Sequence, residues 1–205
     1  MNKAVELLNR WAEFESTHEA AGIEDFCRYL LIKEKQKDQK EIFAGASKPP
    51  DNLSQLAKIT GRIARLQSTY AGIALKECGL SGIDEFIYLN EIHFAEKPQK
   101  TKVIYSNFNE LSSGLLILDR LKKKELILEE ENLSDKRSKT VSVTAKGKKV
   151  LFECYEKMNQ INQFFFREMS KDDVLMCLQL LSSTEALFSN RWQADKSRSF
   201  QELLQ

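Results

Sequence analysis

Six of the seven charged side chains between Asn132 and Lys149 are cationic: Lys136, Arg137, Lys139, Lys146, Lys148 and Lys149, against Asp135 alone. Cations at that density suit either a solvated charged hairpin or the holding of a fixed anion, and phosphate is the anion that Lys and Arg meet best. Upstream, Ser112 and Ser113 stand where a helix is predicted to begin. A helix start directs backbone amides at phosphate, and short polar side chains there reach other hydrogen-bonding edges. Lys102, at the start of the preceding helix, is a further phosphate candidate.

Apolar periodicity places these residues on a small set of elements. Gly114, Ile117, Leu118 and Leu121 recur at i, i+3, i+4, i+7, which predicts a helix over 112–124 with that face buried. Its outer face then holds Leu116, Asp119 and Lys123, flanked by Leu115 and Arg120. A strand begins at Ile127, and residues 132–138 form a polar turn. Val141 and Val143 alternate with Thr140, Ser142 and Thr144 as in a second strand. Thr144 is a good N-cap for a helix carrying Val150, Leu151, Tyr155, Met158, Ile161 and Phe165 on one stripe.

The rest of the chain reads as helices. Residues 1–40 look helical with a break at Gly22, and a loop follows over 44–51, where Gly45, Pro49 and Pro50 oppose a helix. A long helix fits 52–78, with Leu56, Ile59, Ile63, Leu66, Tyr70 and Ile73 forming a seam of roughly 40 Å at 1.5 Å per residue. Ser81 and Asp84 resemble a capping box for a helix to about Phe94, whose inner face would be Ile83, Phe86, Ile87, Asn90 and Phe94. A short helix over 101–108 is capped by Thr101. Ser170, with Asp172 and Asp173, opens a last helix that uses Val174, Leu178, Leu181 and Phe188, and 193–205 read as a mobile polar tail. The expected fold class is mainly α with a small two- or three-stranded β wing. It is a winged helix-turn-helix flanked by long helices, with regions at 1–45, 52–150 and 151–205.

A helix followed by a basic two-stranded ribbon matches the shape of a DNA duplex. Helix 112–124 would lie in the major groove, and an arginine at a hairpin tip, here Arg137, can enter a narrow minor groove. Lys139 and the helix end after Thr144 would hold phosphates. Leu115 and Leu116 cannot donate hydrogen bonds to bases, but they can pack on thymine methyls. Competing readings place both leucines in the core or against a protein partner, and treat the wing as a solvated charged hairpin.

The wording of this stretch resembles the multiple-antibiotic-resistance regulator (MarR) family of bacterial transcription factors. Asp119-Arg120-Leu121 stands for the family's end to the recognition helix, and Leu126-Ile127 for its first wing strand. Asp135-Lys136-Arg137-Ser138 stands for the wing. Val141-Ser142-Val143-Thr144-Ala145-Lys146-Gly147 stands for the return strand and its glycine. The resemblance covers about residues 53–190 and leaves 1–45 as an addition. It implies a homodimer with intertwined terminal helices, and a regulator, by expectation a repressor, that binds palindromic double-stranded DNA. It gives Arg137 the minor-groove role and Asp135 the task of fixing the wing through a charge pair. The full expected set of DNA contacts is Lys102, Ser112, Ser113, Leu115, Leu116, Arg120, Lys136, Arg137, Lys139 and Thr144. The apolar stripes independently exceed what one small winged domain covers, as at an interface, unless the extra N-terminal helices cover them within one chain. The alternative is a winged-helix protein–protein interaction module that uses Leu115 and Leu116.

Composition narrows the remaining classes. The net charge is +1, so an anionic partner must be met by a local patch. No apolar run approaches the ~20 residues of a spanning helix, and the first 20 residues lack a signal-peptide pattern, so a cytoplasmic protein without a membrane partner is expected. Cys27, Cys78, Cys154 and Cys177 are widely spaced, and with only His18 and His93 beside them no metal or cofactor is expected. Reduced, mostly buried thiols are the expectation. There is no Gly-rich phosphate loop and no placed carboxylate pair, which ranks an enzyme last. The resemblance allows a small lipophilic or aromatic effector. Tyr70, Phe86, Tyr88 and Phe94 could line its cleft or, more simply, fill a core.

Overall fold

The computed structural model describes residues 2–38, 49–131 and 138–204, and the chain divides into two compact units, Met1–Leu56 and Ala57–Gln205. The first unit contains α1 (Lys3–Glu15) and α2 (Ile23–Asp38). Asn2 caps α1, its side-chain oxygen accepting from the Ala4 amide at 3.0 Å. Phe14 and Phe26 are buried and meet at 5.4 Å, with the His18 and Tyr29 rings 4.4 and 4.9 Å from Phe14. Residues 16–22 between the helices are not helical, so the predicted break is wider than Gly22.

The predicted loop 44–51 lies largely outside the described residues; Pro49–Asp51 are non-helical, and Asp51 accepts from the Ser54 amide at 2.9 Å to open the next helix. That helix, α3 (Asn52–Glu77), buries Ala71, Ala74 and Leu75 near its end. The predicted seam Ile59, Ile63, Leu66 and Ile73 is exposed in the single chain.

The second unit continues with α4 (Ile83–Phe94), α5 (Lys100–Ser106), α6 (Leu111–Lys123), β1 (Ile127–Glu131), β2 (Lys139–Val143), α7 (Ala145–Phe165), α8 (Lys171–Asp195) and α9 (Phe200–Leu203). One hydrophobic core joins Leu75, Tyr88, Val103, Leu118, Val141 and Leu151 with their neighbours, so every element from α3 to α7 contributes to it. The two strands are antiparallel, with Ile127 opposite Val143 and Glu131 opposite Lys139. An isolated bridge from Gln99 to Thr140 adds a minimal third pairing, and the Val141 amide donates to Pro98 O at 3.0 Å.

Several local expectations change. α5 starts at Lys100 with Gln99 as its N-cap, rather than at Thr101, because the Gln99 bridge fixes the chain before it. The N-cap of α4 is Gly82; Ser81 donates its amide to Glu85 rather than forming a box with Asp84. The buried face of α4 is Glu85, Tyr88, Leu89 and Ile92. The predicted face stands two positions earlier, about 200° round the helix, and leaves Ile87 and Phe94 exposed. α4 carries apolar residues on both sides, so periodicity alone cannot choose between them.

Thr144 caps α7 as expected, accepting from the Gly147 amide at 2.9 Å. α7 runs without a break through the predicted 150/151 boundary. Ser170 caps α8, accepting from the Asp173 amide at 3.1 Å, yet α8 buries no residue. The stretch predicted as a polar tail contains helix on both sides of a non-helical turn at 196–199: α8 reaches Asp195, and α9 begins with a capping box of Ser199 and Glu202.

Candidate nucleic-acid interface

α6 sits where α4, α5 and β1 meet. Gly114, Ile117, Leu118 and Leu121 are buried, as the periodicity predicts. Gly114 permits the approach of α5: a Cβ there would lie 2.5 Å from Ile104 Cγ1 and 2.8 Å from Tyr88 Oη. The turn into α6 is held by Asn109, whose amide donates to Ile104 O at 3.2 Å and whose side chain donates to Tyr88 Oη at 3.0 Å.

With that face buried, Ser112 and Ser113 are exposed in the first turn, and Leu116 is 60% exposed. Leu115 differs, packing half-buried against the core, so the two leucines have different environments. Lys102 is exposed on α5.

Arg120 is committed elsewhere. Its Nε donates to Glu85 Oε1 at 2.9 Å, and Lys124 Nζ donates to Glu85 Oε2 at 2.6 Å. Lys124 also donates to Gly79 O and Ser81 Oγ, both at 2.9 Å. Glu85 is only 1% exposed. Burial pushes its carboxyl pKa up, but the bonds from Lys124, Ser81 and Arg120 outweigh burial and leave it below the ordinary value. These cations fasten the C-terminal half of α6 to α4, so Arg120, through its Nε, has a structural task in the fold.

The wing is similarly divided. Lys139 pairs with Glu129 at 3.0 Å, and Lys97 with Glu130 at 2.7 Å. The acidic run Glu129, Glu130 and Glu131 therefore offsets part of the positive charge that the second strand brings. The Thr144 hydroxyl donates to Glu125 O at 2.8 Å, an internal bond. Lys146 pairs with Glu125 at 3.1 Å, while Lys148 and Lys149 are exposed. Asp135, Lys136 and Arg137 lie outside the described residues. Glu85 and Glu129 are functional neighbours of this region that the sequence motifs do not include. Glu129 shares the strand face of Ile127, which is a sequence signal for it; Glu85 lacks one for its cations, because Arg120 and Lys124 are 35 and 39 residues away.

The four aromatic candidates for an effector cleft have separate neighbours. Tyr88 bonds Asn109, Phe86 packs edge-on to Tyr155, Tyr70 lies beside Phe164 and Phe165, and Phe94 beside His93. Of the thiols only Cys154 is buried, against the expectation of mostly buried cysteines; Cys27 and Cys177 are exposed and Cys78 is half-buried. Burial, with Cys78 beside it, pushes the Cys154 pKa up to about 12. Among the described residues no group of three or more His, Cys, Asp or Glu could hold a metal ion, and no helix is long and apolar enough to cross a membrane.

No protein-family model and no curated protein matches the chain. Solved structures do. A mutant of MarR from E. coli, complexed with operator DNA, aligns with a TM-score of 0.62 and 19% identity over 67% of this chain and 99% of its own. An uncharacterized SlyA-like transcription regulator from Listeria monocytogenes aligns with a TM-score of 0.64 and 21% identity, over 74% and 100%. The transcriptional regulator SlyA aligns with a TM-score of 0.61 and 21% identity, over 67% and 96%. The helix order, the α5–α6 turn, the β1–β2 ribbon and these alignments together give the chain the winged helix-turn-helix fold of the MarR-family transcription regulators.

Proposed function

We propose that this protein is a DNA-binding transcription regulator that acts as a homodimer, in the simplest form a repressor. The observation that carries this reading is α6: its inner face is locked by α4, α5 and β1, while Ser112, Ser113 and Leu116 are exposed on the same helix. A similar fold in the E. coli MarR structure is complexed with operator DNA. In this reading Ser112 and Ser113 meet bases or phosphate, and Leu116 packs on a thymine methyl. Lys102 and Arg137 supply charge to phosphate and the minor groove. Lys136 would add charge to phosphate, and Asp135 would fix the position of Arg137 through a charge pair. Leu115 supports the helix from below.

The homodimer is supported by apolar side chains that the single chain leaves open, including Ile63, Leu66 and Ile73 on α3 and Leu178, Leu181 and Phe188 on α8. Apolar rows of that extent are characteristic of interfaces. A small lipophilic or aromatic effector would act by shifting the dimer's DNA-competent form.

The test is an anisotropy titration against duplexes from the DNA flanking the coding region, repeated across salt concentrations. Binding should fall steeply with salt, since each neutralised phosphate releases counterion with a slope of about −0.9 per contact. Arg137→Ala should weaken binding, and Leu116→Asp should abolish sequence preference. A protein with no duplex affinity at low salt, whose Leu116 captures a protein partner, would instead be an interaction module.

A further inference from the structure

A strand that packs one face on helices alternates inward and outward residues. β1 does so: Ile127 is buried, Leu128 is exposed, and the next inward position is Glu129. Its side chain is 11% exposed, at a place where the pattern calls for an apolar residue. Three ammonium groups meet its carboxylate, from Lys100 at 3.4 Å, Lys122 at 2.9 Å and Lys139 at 3.0 Å. They come from three elements: the first residue of α5, the last turn of α6 and the first residue of β2. Glu129 also faces Val141 across the ladder, and the Val141 amide ties β2 to Pro98 just before α5.

We propose that Glu129 is a positioning residue: its carboxylate gathers cations from both helices of the helix-turn-helix and from the wing, and so sets the angle at which the β1–β2 ribbon stands on α5 and α6. The geometric claim stands alone, and its consequence for sequence preference rests on the DNA-binding reading. An apolar residue at this position would join the core without specifying direction. A carboxylate with three charged donors specifies direction, because charge-assisted hydrogen bonds are both short and oriented. Removing it leaves three like charges converging on one point, each on a different element, so their separation moves the elements. Lys100 is only 18% exposed and has little water to turn to. The same contacts, Lys122 foremost, hold the carboxyl at about 2 against the opposing effect of burial, so it is ionised at neutral pH.

Residue-resolved amide hydrogen exchange on the full chain tests this, comparing wild type, Glu129→Gln and Glu131→Gln. The last removes the same charge two residues along the wing. Exchange at the Val141 amide should quicken at least tenfold in Glu129→Gln and stay at the wild-type rate in Glu131→Gln. If Glu129→Gln does not fold, Lys122→Gln, which leaves two of the three cations, should quicken Val141 in the same direction by less. In parallel, wild type selects a preferred duplex from a random pool. Glu129→Gln should lower the preference for that duplex over a scrambled one at least fivefold, with affinity for the scrambled duplex equal or higher because a negative charge has gone. Unchanged Val141 exchange in the Glu129 and Lys122 variants, or an equal effect of Glu131→Gln, overturns the proposal. A wild type that selects no sequence defeats the DNA reading, and the exchange experiment still decides the role of Glu129.

Discussion

Replacing Glu85 with alanine should be among the most damaging single changes in the second unit. The carboxylate is 1% exposed and accepts from the Ser81 amide at 2.8 Å, Arg120 Nε at 2.9 Å and Lys124 Nζ at 2.6 Å. Truncation leaves two cations facing a void that once held their counter-charge. Breaking one side of a buried ion pair costs about 3–5 kcal/mol. For a chain of this size each kcal/mol moves the melting temperature by about 2–4 °C, so a fall of roughly 6–20 °C is expected. Calorimetry at matched protein concentration measures it, the concentration being fixed because association shifts apparent stability. The triple change Glu85→Leu, Arg120→Met and Lys124→Met should recover more than half of the loss, since well-packed apolar residues commonly match a buried ionic cluster. The folded-state pKa of Glu85 is depressed. Its contribution is therefore present above the ordinary carboxylate range and fades as pH falls through the folded value. A melting temperature within 3 °C of wild type for Glu85→Ala would refute the view that this cluster secures α6.

Two further outcomes are expected. Gly147→Ala should destabilise by about 1–2 kcal/mol in urea titrations, because a Cβ there would lie 2.1 Å from Leu126 O and 2.8 Å from Val143 Cγ1; the ~1 kcal/mol gain in helix propensity is smaller than the cost of moving backbone. A neutral or stabilised variant would contradict that close approach. Glu129 titrates at about 2 against an ordinary 4.5, so its ion cluster contributes at most about 3 kcal/mol above pH 4.5, lost as pH falls toward 2. Wild type and Glu129→Gln should then differ in urea midpoint at pH 6 and converge near pH 2, and a constant gap across that range would count against the cluster.

Much of the fold follows from short-range pattern. The inner face of α6 needed only the spacing of Gly114, Ile117, Leu118 and Leu121, because a helix with one apolar stripe has one way to face a core. The caps at Thr144 and Ser170 needed only a side chain three residues from the amide it accepts from. β2 needed only alternation. Where a helix is apolar on two sides the pattern stops deciding, which is why α4 turned a different face inward. The end of the chain reads as a tail because its composition is polar, although Ser199 and Glu202 spell a capping box for α9.

The candidate site divides along the same line. Composition and spacing alone determined that a helix with one buried face precedes a cationic second strand, that Ser112, Ser113 and Leu116 stand off that face, and that long apolar rows run along the flanking helices. Only the tertiary structure decided which cations are available to a partner. Arg120, Lys124, Lys122 and Lys139 are drawn to Glu85 and Glu129, carboxylates that folding brings within 3.0 Å of them. Charge acts through space, falling off with distance and burial rather than with separation along the chain. A count of lysines therefore reports the charge a segment carries, and the fold determines how much of it is left to meet phosphate.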